Sequence, residues 1–375
     1  MPAALNEMRF RSSPHIELKR LGDLAADQAE AFRPLENDPE FYGLLVAKPP
    51  LTMNVKSVAR ETAELIQSLA TPSHVDVDED VIDLLLDGIL EVESDDGFVS
   101  GSDALPFVCP PSSTPRFVDA SSRLSHDALL HAQDLETTDP QPLAMALYRY
   151  NHIPITPFWR TRFANRDAIL AYLGADRGTL RALLQREWNA SEGTGWLNWS
   201  SRTSFVRSRA DVTYKLYVSP RPERIREAFE ILVRVISDFH AIPFKIGNGA
   251  AGLLRPDKIV AYFTSREQLG EVADLLRQQL DGCEPHAVPF TAGLDDRGLL
   301  SWGVDPPENE RVLQWLGRES WRLWLVHRLG NALSIAKRAR SSAAAEPWRF
   351  ALERVRRHGV DVETWTPSPT LWSAP

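Results

Sequence analysis

Residues 212–218 read VTYKLYV and residues 242–246 read IPFKI, two short apolar runs of strand character that each carry a lysine. Of the 42 Lys and Arg residues only seven are lysines, at positions 19, 48, 56, 215, 245, 258 and 337. A chain that writes its positive charge as arginine thus keeps two of its few amines inside strands. Guanidinium stays charged under protein conditions, whereas a partly desolvated amine close to other cations can be pushed toward neutrality and accept a proton. Side chains two apart on a strand share a face, so Lys215 and Tyr217 point one way while Tyr214, Leu216 and Val218 point the other. Lys245 likewise opposes Phe244 and Ile246. If the two strands are neighbours in one sheet, two ammonium groups and a phenol meet on one patch, with Arg255 at its rim. The pattern alone leaves two readings open: a titratable base beside a point charge, or two lysines that snorkel at a sheet edge and guard it from aggregation.

The elements around these residues read as β, α, β, loop, β, α, β between 212 and 304. Pro222 opens a helix whose Ile225, Phe229, Leu232 or Val233 and Ile236 form one apolar stripe. The loop GNGAAG (247–252) follows a strand but leads to the strand KIVAYF and not to a helix, which excludes a dinucleotide fingerprint; its glycines let the backbone run close to something. Ser265 and Gln268 read as a capping box opening a helix over 266–280, and LLSWGV as a last strand. The order predicts an α+β domain with a mixed sheet flanked by helices. Upstream, helix 165–188 breaks at Gly174, and GTGWLNWSSRTSF reads as a loop between two tryptophans.

The remainder divides by composition. Residues 1–100 read as an acidic N-terminal domain, helical with a hairpin that turns at Asp95, Asp96 and Gly97, a shape able to grip a peptide or merely to pack. Residues 101–142, rich in Pro, Ser and Asp with one short amphipathic piece near HDALLHAQDL, read as a linker. An α+β domain follows over 143–305, then C-terminal helices over 306–375 that pack on it. The net charge of −9 conceals an asymmetry: residues 1–150 hold 26 acidic and 11 basic residues, and residues 151–375 hold 25 and 31. The basic excess suits an anion, but no motif supports nucleic acid. Two distant cysteines, Cys109 and Cys283, outline neither a disulfide framework nor a zinc site. No stretch reads as a signal peptide or membrane span, so the expected compartment is cytoplasmic.

The order YKLYVSP, a helix, PFKIG, then RPDKIVAYF resembles the phosphothreonine lyases of the OspF and SpvC type, whose pattern runs KLH, then WKV or FKV, then an arginine and a strand ending in tyrosine. The lyase domains of class III and IV lanthipeptide synthetases carry a similar order. By YKLYVSP, RPDKIVAYF and VPFTAGL the chain is also similar to the HopA-type effector family, whose members occur in class V lanthipeptide and thioamitide clusters. The resemblance covers residues 145–305. It implies a lyase that eliminates phosphate from phospho-Ser or phospho-Thr in a precursor peptide, leaving a dehydroamino acid, with no cofactor or metal. It implies Lys245 as general base and Lys215 as the cation that steadies enolate or phosphate. Tyr217 stands where the phosphothreonine lyases have the histidine that serves as acid, with His240 a substitute. Arg255 would clamp phosphate, Arg207, Arg209 and Arg297 are further candidates for that duty, and Tyr262 would line the pocket. The implied partners are a phosphorylated precursor peptide and a kinase, with no membrane. The alternative is a non-catalytic, effector-like or scaffold protein that binds a kinase or leader peptide.

Overall fold

The computed structural model describes residues 5–49, 53, 55–95, 97–109, 115–202, 213–306, 319–340, 344–368 and 371. The fold is α+β, centred on a seven-stranded sheet. In chain order its strands are β1 (Trp188–Gly193), β2 (Trp196–Ser201), β3 (Thr213–Val218), β4 (Phe244–Gly247), β5 (Ile259–Phe263), β6 (Ala292–Gly293) and β7 (Leu300–Asp305). They lie side by side as β6-β7-β3-β5-β4-β2-β1.

Every pairing in this sheet is antiparallel. The expected mixed sheet had the two lysine strands adjacent. Instead β5 inserts between β3 and β4, so these two run parallel without touching and each pairs antiparallel to the strand between them. The stretch read as a loop between tryptophans is the β1–β2 hairpin, turning at Thr194 and Gly195, where Gly195 takes a positive φ.

One sheet face is apolar. Leu216, Val218, Phe244, Ile246, Ile259, Ala261 and Phe263 meet the helices Ile225–Asp238 and Arg266–Gln279. The stripe Ile225, Phe229, Leu232, Val233 and Ile236 is wholly buried there, each side chain contributing about 1.5–3 kcal/mol of apolar transfer. Ser265 caps the second helix by accepting from the Gln268 amide. Its hydroxyl donates to Glu267.

A second core joins the two ends of the chain. It gathers Val81, Leu85, Leu90 and Val92 from the N-terminal part, Leu129, Leu143 and Leu147, and Trp321, Leu325, Leu329 and Phe350 from the C-terminal helices. The hairpin of Leu90–Ser94 with Gly97–Val99 is present, and Asp96 lies outside the described residues. Where a linker was expected, Ala120–Asp134 is a helix capped by Asp119, with Ala128, Leu129 and Ala132 in this core; its serines are buried, and Ser125 donates to the Ser121 carbonyl. The helix Trp321–Ala336 packs chiefly against the helices Pro140–Arg149 and Pro347–Arg357. Its first turn lands on β7, where Trp321 lies against Gly303.

The glycine loop does hold two backbones together. The stretch Gly249–Leu253 is a short helix that folds back on β4, and a methyl at Gly247 would meet the Gly252 carbonyl carbon at 2.2 Å. Gly247→Ala should therefore cost about 1–3 kcal/mol in chemical denaturation, as overpacking does; an unchanged midpoint would show that the loop yields freely.

Candidate functional site

Strand alternation sends Lys215, Tyr217, Lys245, Val260 and Tyr262 to the face opposite the apolar helices. Register then aligns them. Lys245 is opposite Val260, which is opposite Tyr217, and Tyr262 is opposite Lys215. Tyr262 sits between the amines: its ring centroid is 5.5 Å from Lys215 Nζ and 5.6 Å from Lys245 Nζ. The two lysines share one face and one aromatic neighbour.

Their surroundings differ. Lys215 is buried and its Nζ lies 2.6 Å from Asp305 Oδ2, a carboxylate that is itself buried and accepts the Trp321 amide through Oδ1. Opposite Lys215 on β7 stands Gly303, which adds no side chain beside it. Lys245 is half-buried and pairs with no carboxylate among the described residues; its Nζ stands 4.1 Å from the Trp196 ring centroid. Burial first, and then the charge of Lys215, push the Lys245 amine down to about 8. At neutral pH a fraction of it is free to take a proton.

Arg255 is present at the rim, but its fork is already engaged. Nε and Nη2 donate to the two oxygens of Asp257 at 2.8 Å, and Nη2 also to the Tyr148 hydroxyl at 2.9 Å. Its guanidinium carbon lies 4.9 Å from the Trp196 centroid. Arg322, from the C-terminal helix, places Nη1 2.8 Å from Asp257 Oδ2 and donates to the Pro289 and Tyr148 carbonyls. Burial alone would raise the Asp257 carboxyl, but Arg255 and Arg322 more than offset this and hold it far below the carboxylate range. His152 stands near the same group, and burial pushes its imidazole down to about 4.

Tyr217 is in place beside Lys215 but deeply buried, and burial together with Asp305 drives its phenol well above the ordinary value. It can donate a hydrogen bond; it is a weak acid. Two of the expected arginines, Arg207 and Arg209, lie outside the described residues. Arg297 is elsewhere, donating to the Cys283 carbonyl and lining a cavity of about 360 Å³ with Arg277, Leu280 and Asp281. His240 is an exposed residue of positive φ after the helix Ile225–Asp238. A second cavity, of about 610 Å³, is lined by Arg166, Arg181, Trp188 and Arg202 and contains neither site lysine.

Sequence reasoning passed over Asp257, Asp305, Trp196, Tyr148 and Arg322. The first two carried a signal, since a buried cation requires an anion and acids follow directly on RP and LLSWGV. A third amine, Lys258, is also buried, donating to the Pro220 carbonyl and lying 2.8 Å from His286 Nδ1; burial brings it to about 7. It ties the stretch after β3 to the segment at His286.

No protein-family model and no curated protein matches the chain. Among solved structures, the effector protein from Pseudomonas syringae pv. tomato strain DC3000 is 12% identical and covers 68% of this chain and 99% of its own, with a TM-score of 0.42. The effector protein from Pseudomonas syringae pv. syringae strain 61 is 10% identical with the same coverage and a TM-score of 0.40. These are distant structural likenesses. No helix among the described residues is long and apolar enough to cross a membrane.

Two outcomes follow from the geometry. In Lys215→Met the Lys245 amine should titrate closer to its ordinary 10.5, followed by lysine NMR, because a like charge is gone and Asp305 is released; an unmoved titration would mean that the amines do not sense each other. The folded amine sheds its proton near 8 and the unfolded one near 10.5, so the unfolded chain binds more protons between these values. Ionised Lys245 therefore opposes folding below pH 8, and in urea titrations the gain in stability from Lys245→Met should shrink as pH rises toward 10.5. A gain independent of pH would contradict the depressed amine.

Proposed function

We propose that the chain is a phospho-Ser/Thr lyase acting on a phosphorylated precursor peptide. The observation that carries this reading is the unequal pair of amines on one face: Lys245, without a carboxylate among the described residues and shifted to about 8, beside Lys215 ion-paired with Asp305. β-Elimination needs a base for a weakly acidic Cα proton, a cation for the enolate that forms, and a way to let phosphate depart.

In this reading Lys245 takes the Cα proton, the electron pair forms the Cα–Cβ double bond, and the Cβ–O bond breaks with its electrons leaving on phosphate. Lys215, with the Tyr217 hydroxyl beside it on the buried half of the face, supplies the positive charge that offsets the negative charge growing on the carbonyl oxygen. Arg255, anchored by Asp257, faces the departing phosphate. Tyr217 serves as a hydrogen-bond donor, since its raised pKa makes it a poor source of a full proton. The phosphate must be installed by a kinase. The resemblance of the motif order to lanthipeptide-type lyases supports a substrate made in a ribosomal peptide pathway.

A second reading keeps the anion site without turnover. It draws on the engagement of both inner cations, since Lys215 is matched by Asp305 and Arg255 by Asp257. The chain would then bind a phosphorylated partner, kinase or leader peptide as an effector-like scaffold.

Purified protein mixed with a phosphothreonine peptide should release phosphate with a mass loss of about 98 Da from the peptide. Lys245→Ala should lower kcat by about 10²–10⁴, the usual contribution of a general base. Full activity in that variant removes the base assignment, and binding without any mass loss selects the scaffold reading.

A further inference from the structure

The face that carries the lysines is covered over one half and open over the other. Lys215, Tyr217 and Val260 are buried, and Ser301, opposite Tyr217 on β7, is sealed under Thr291, with which it shares a hydrogen bond of 2.9 Å. On the other side of Lys245 no cover is present among the described residues. Asn198 of β2 is its cross-strand neighbour, and Ser191 of β1 is the neighbour of Asn198. Asn189 and Ser200 form the next pair on this face. Asn189, Ser191 and Ser200 are exposed and Asn198 is half-exposed, whereas Leu197 and Trp199 on the reverse of β2 are buried. Among the described residues β1 ends the sheet, so this shelf runs from Lys245 to the sheet's edge.

Its chemistry is uniform: amides and hydroxyls, small and uncharged, beside the half-buried ring of Trp196. Gly193 keeps space for the amide, since a methyl there would lie 3.2 Å from Asn198 Nδ2. Such groups donate to and accept from a main chain without selecting its side chains. A small metabolite would call for a concave apolar pocket, and the shelf is a sheet surface. At its inner end stand Lys245, the base of the proposed reaction, and Arg255, a cation complementary to a phosphate.

We infer that this β1–β2 shelf is the platform for the peptide that flanks the phosphorylated residue, its main chain hydrogen-bonded by Asn198, Ser191 and Ser200 while the phosphorylated residue reaches Lys245 and its phosphate meets Arg255. The inference rests on the lyase reading for the identity of its ligand, but not on turnover.

The test compares two probes on the full chain: a fluorescent phosphothreonine peptide of Gly, Ala and Ser, and phosphothreonine capped at both ends as a single residue. Combining Asn198→Ala with Ser191→Ala should weaken the peptide roughly tenfold, the loss expected for one or two hydrogen bonds, and leave the capped residue within about twofold. Ala190→Gln, on the reverse face of β1, should change neither, and thermal unfolding checks that each variant is folded. Equal weakening of both probes would overturn the shelf by putting Asn198 at the phosphate; so would unchanged peptide affinity in the double variant, or a wild-type chain that binds no peptide. Shelf-dependent binding with no loss of phosphate supports the platform while rejecting the lyase.

Discussion

The candidate site depends on an asymmetry of charge compensation. Two amines share one sheet face and one tyrosine, yet among the described residues only Lys215 has a carboxylate, Asp305, at 2.6 Å. Removing Asp305 would leave a buried cation without a partner, a change that in proteins costs about 3–5 kcal/mol. The compensation of one lysine defines the state of the other: Lys215 can remain charged inside the protein, and that charge, with burial, depresses Lys245. Arginine at either position would forfeit this, since guanidinium does not shed its proton in the accessible range.

A second ion network connects the site to the far end of the chain. Asp257 receives Arg255 from its own loop and Arg322 from the C-terminal helix, and Tyr148 is hydrogen-bonded to both arginines, by its hydroxyl to one and its carbonyl to the other. The helix that supplies Arg322 is embedded in the core shared by the N- and C-terminal parts. Rigid placement of Arg255 thus rests on packing far from the sheet. The same helix presents its Trp321 amide to Asp305, so both carboxylates of the site answer to one element.

Local pattern in the sequence carried further than pairing did. Period-two alternation placed Lys215, Tyr217 and Lys245 on one face correctly, because that rule needs only the strand itself. Adjacency of the lysine strands was misjudged: a short helical crossover between β3 and β4 looks like a neighbouring pair, and nothing in VTYKLYV or IPFKI announces that β5 will enter between them. The Trp196 hairpin reads as a loop because Gly and Ser are frequent in it, although Leu197 and Trp199 alternate with polar residues in strand fashion. Pro and Ser give residues 101–142 the composition of a linker, yet Ser121, Ser122 and Ser125 are buried in a capped helix where small side chains suit close packing. Arg322, Tyr148 and His152 approach the site only through tertiary packing, and no local signal marks them.

The most direct measurement of the central claim is the pH dependence of kcat/KM for elimination from a phosphothreonine peptide, which reports the free enzyme's essential groups. The account predicts a rate that climbs with pH and levels off above an apparent pKa near 8, as Lys245 loses its proton. A profile flat through that region, or one that falls as pH rises through it, would contradict an amine that must be neutral to act.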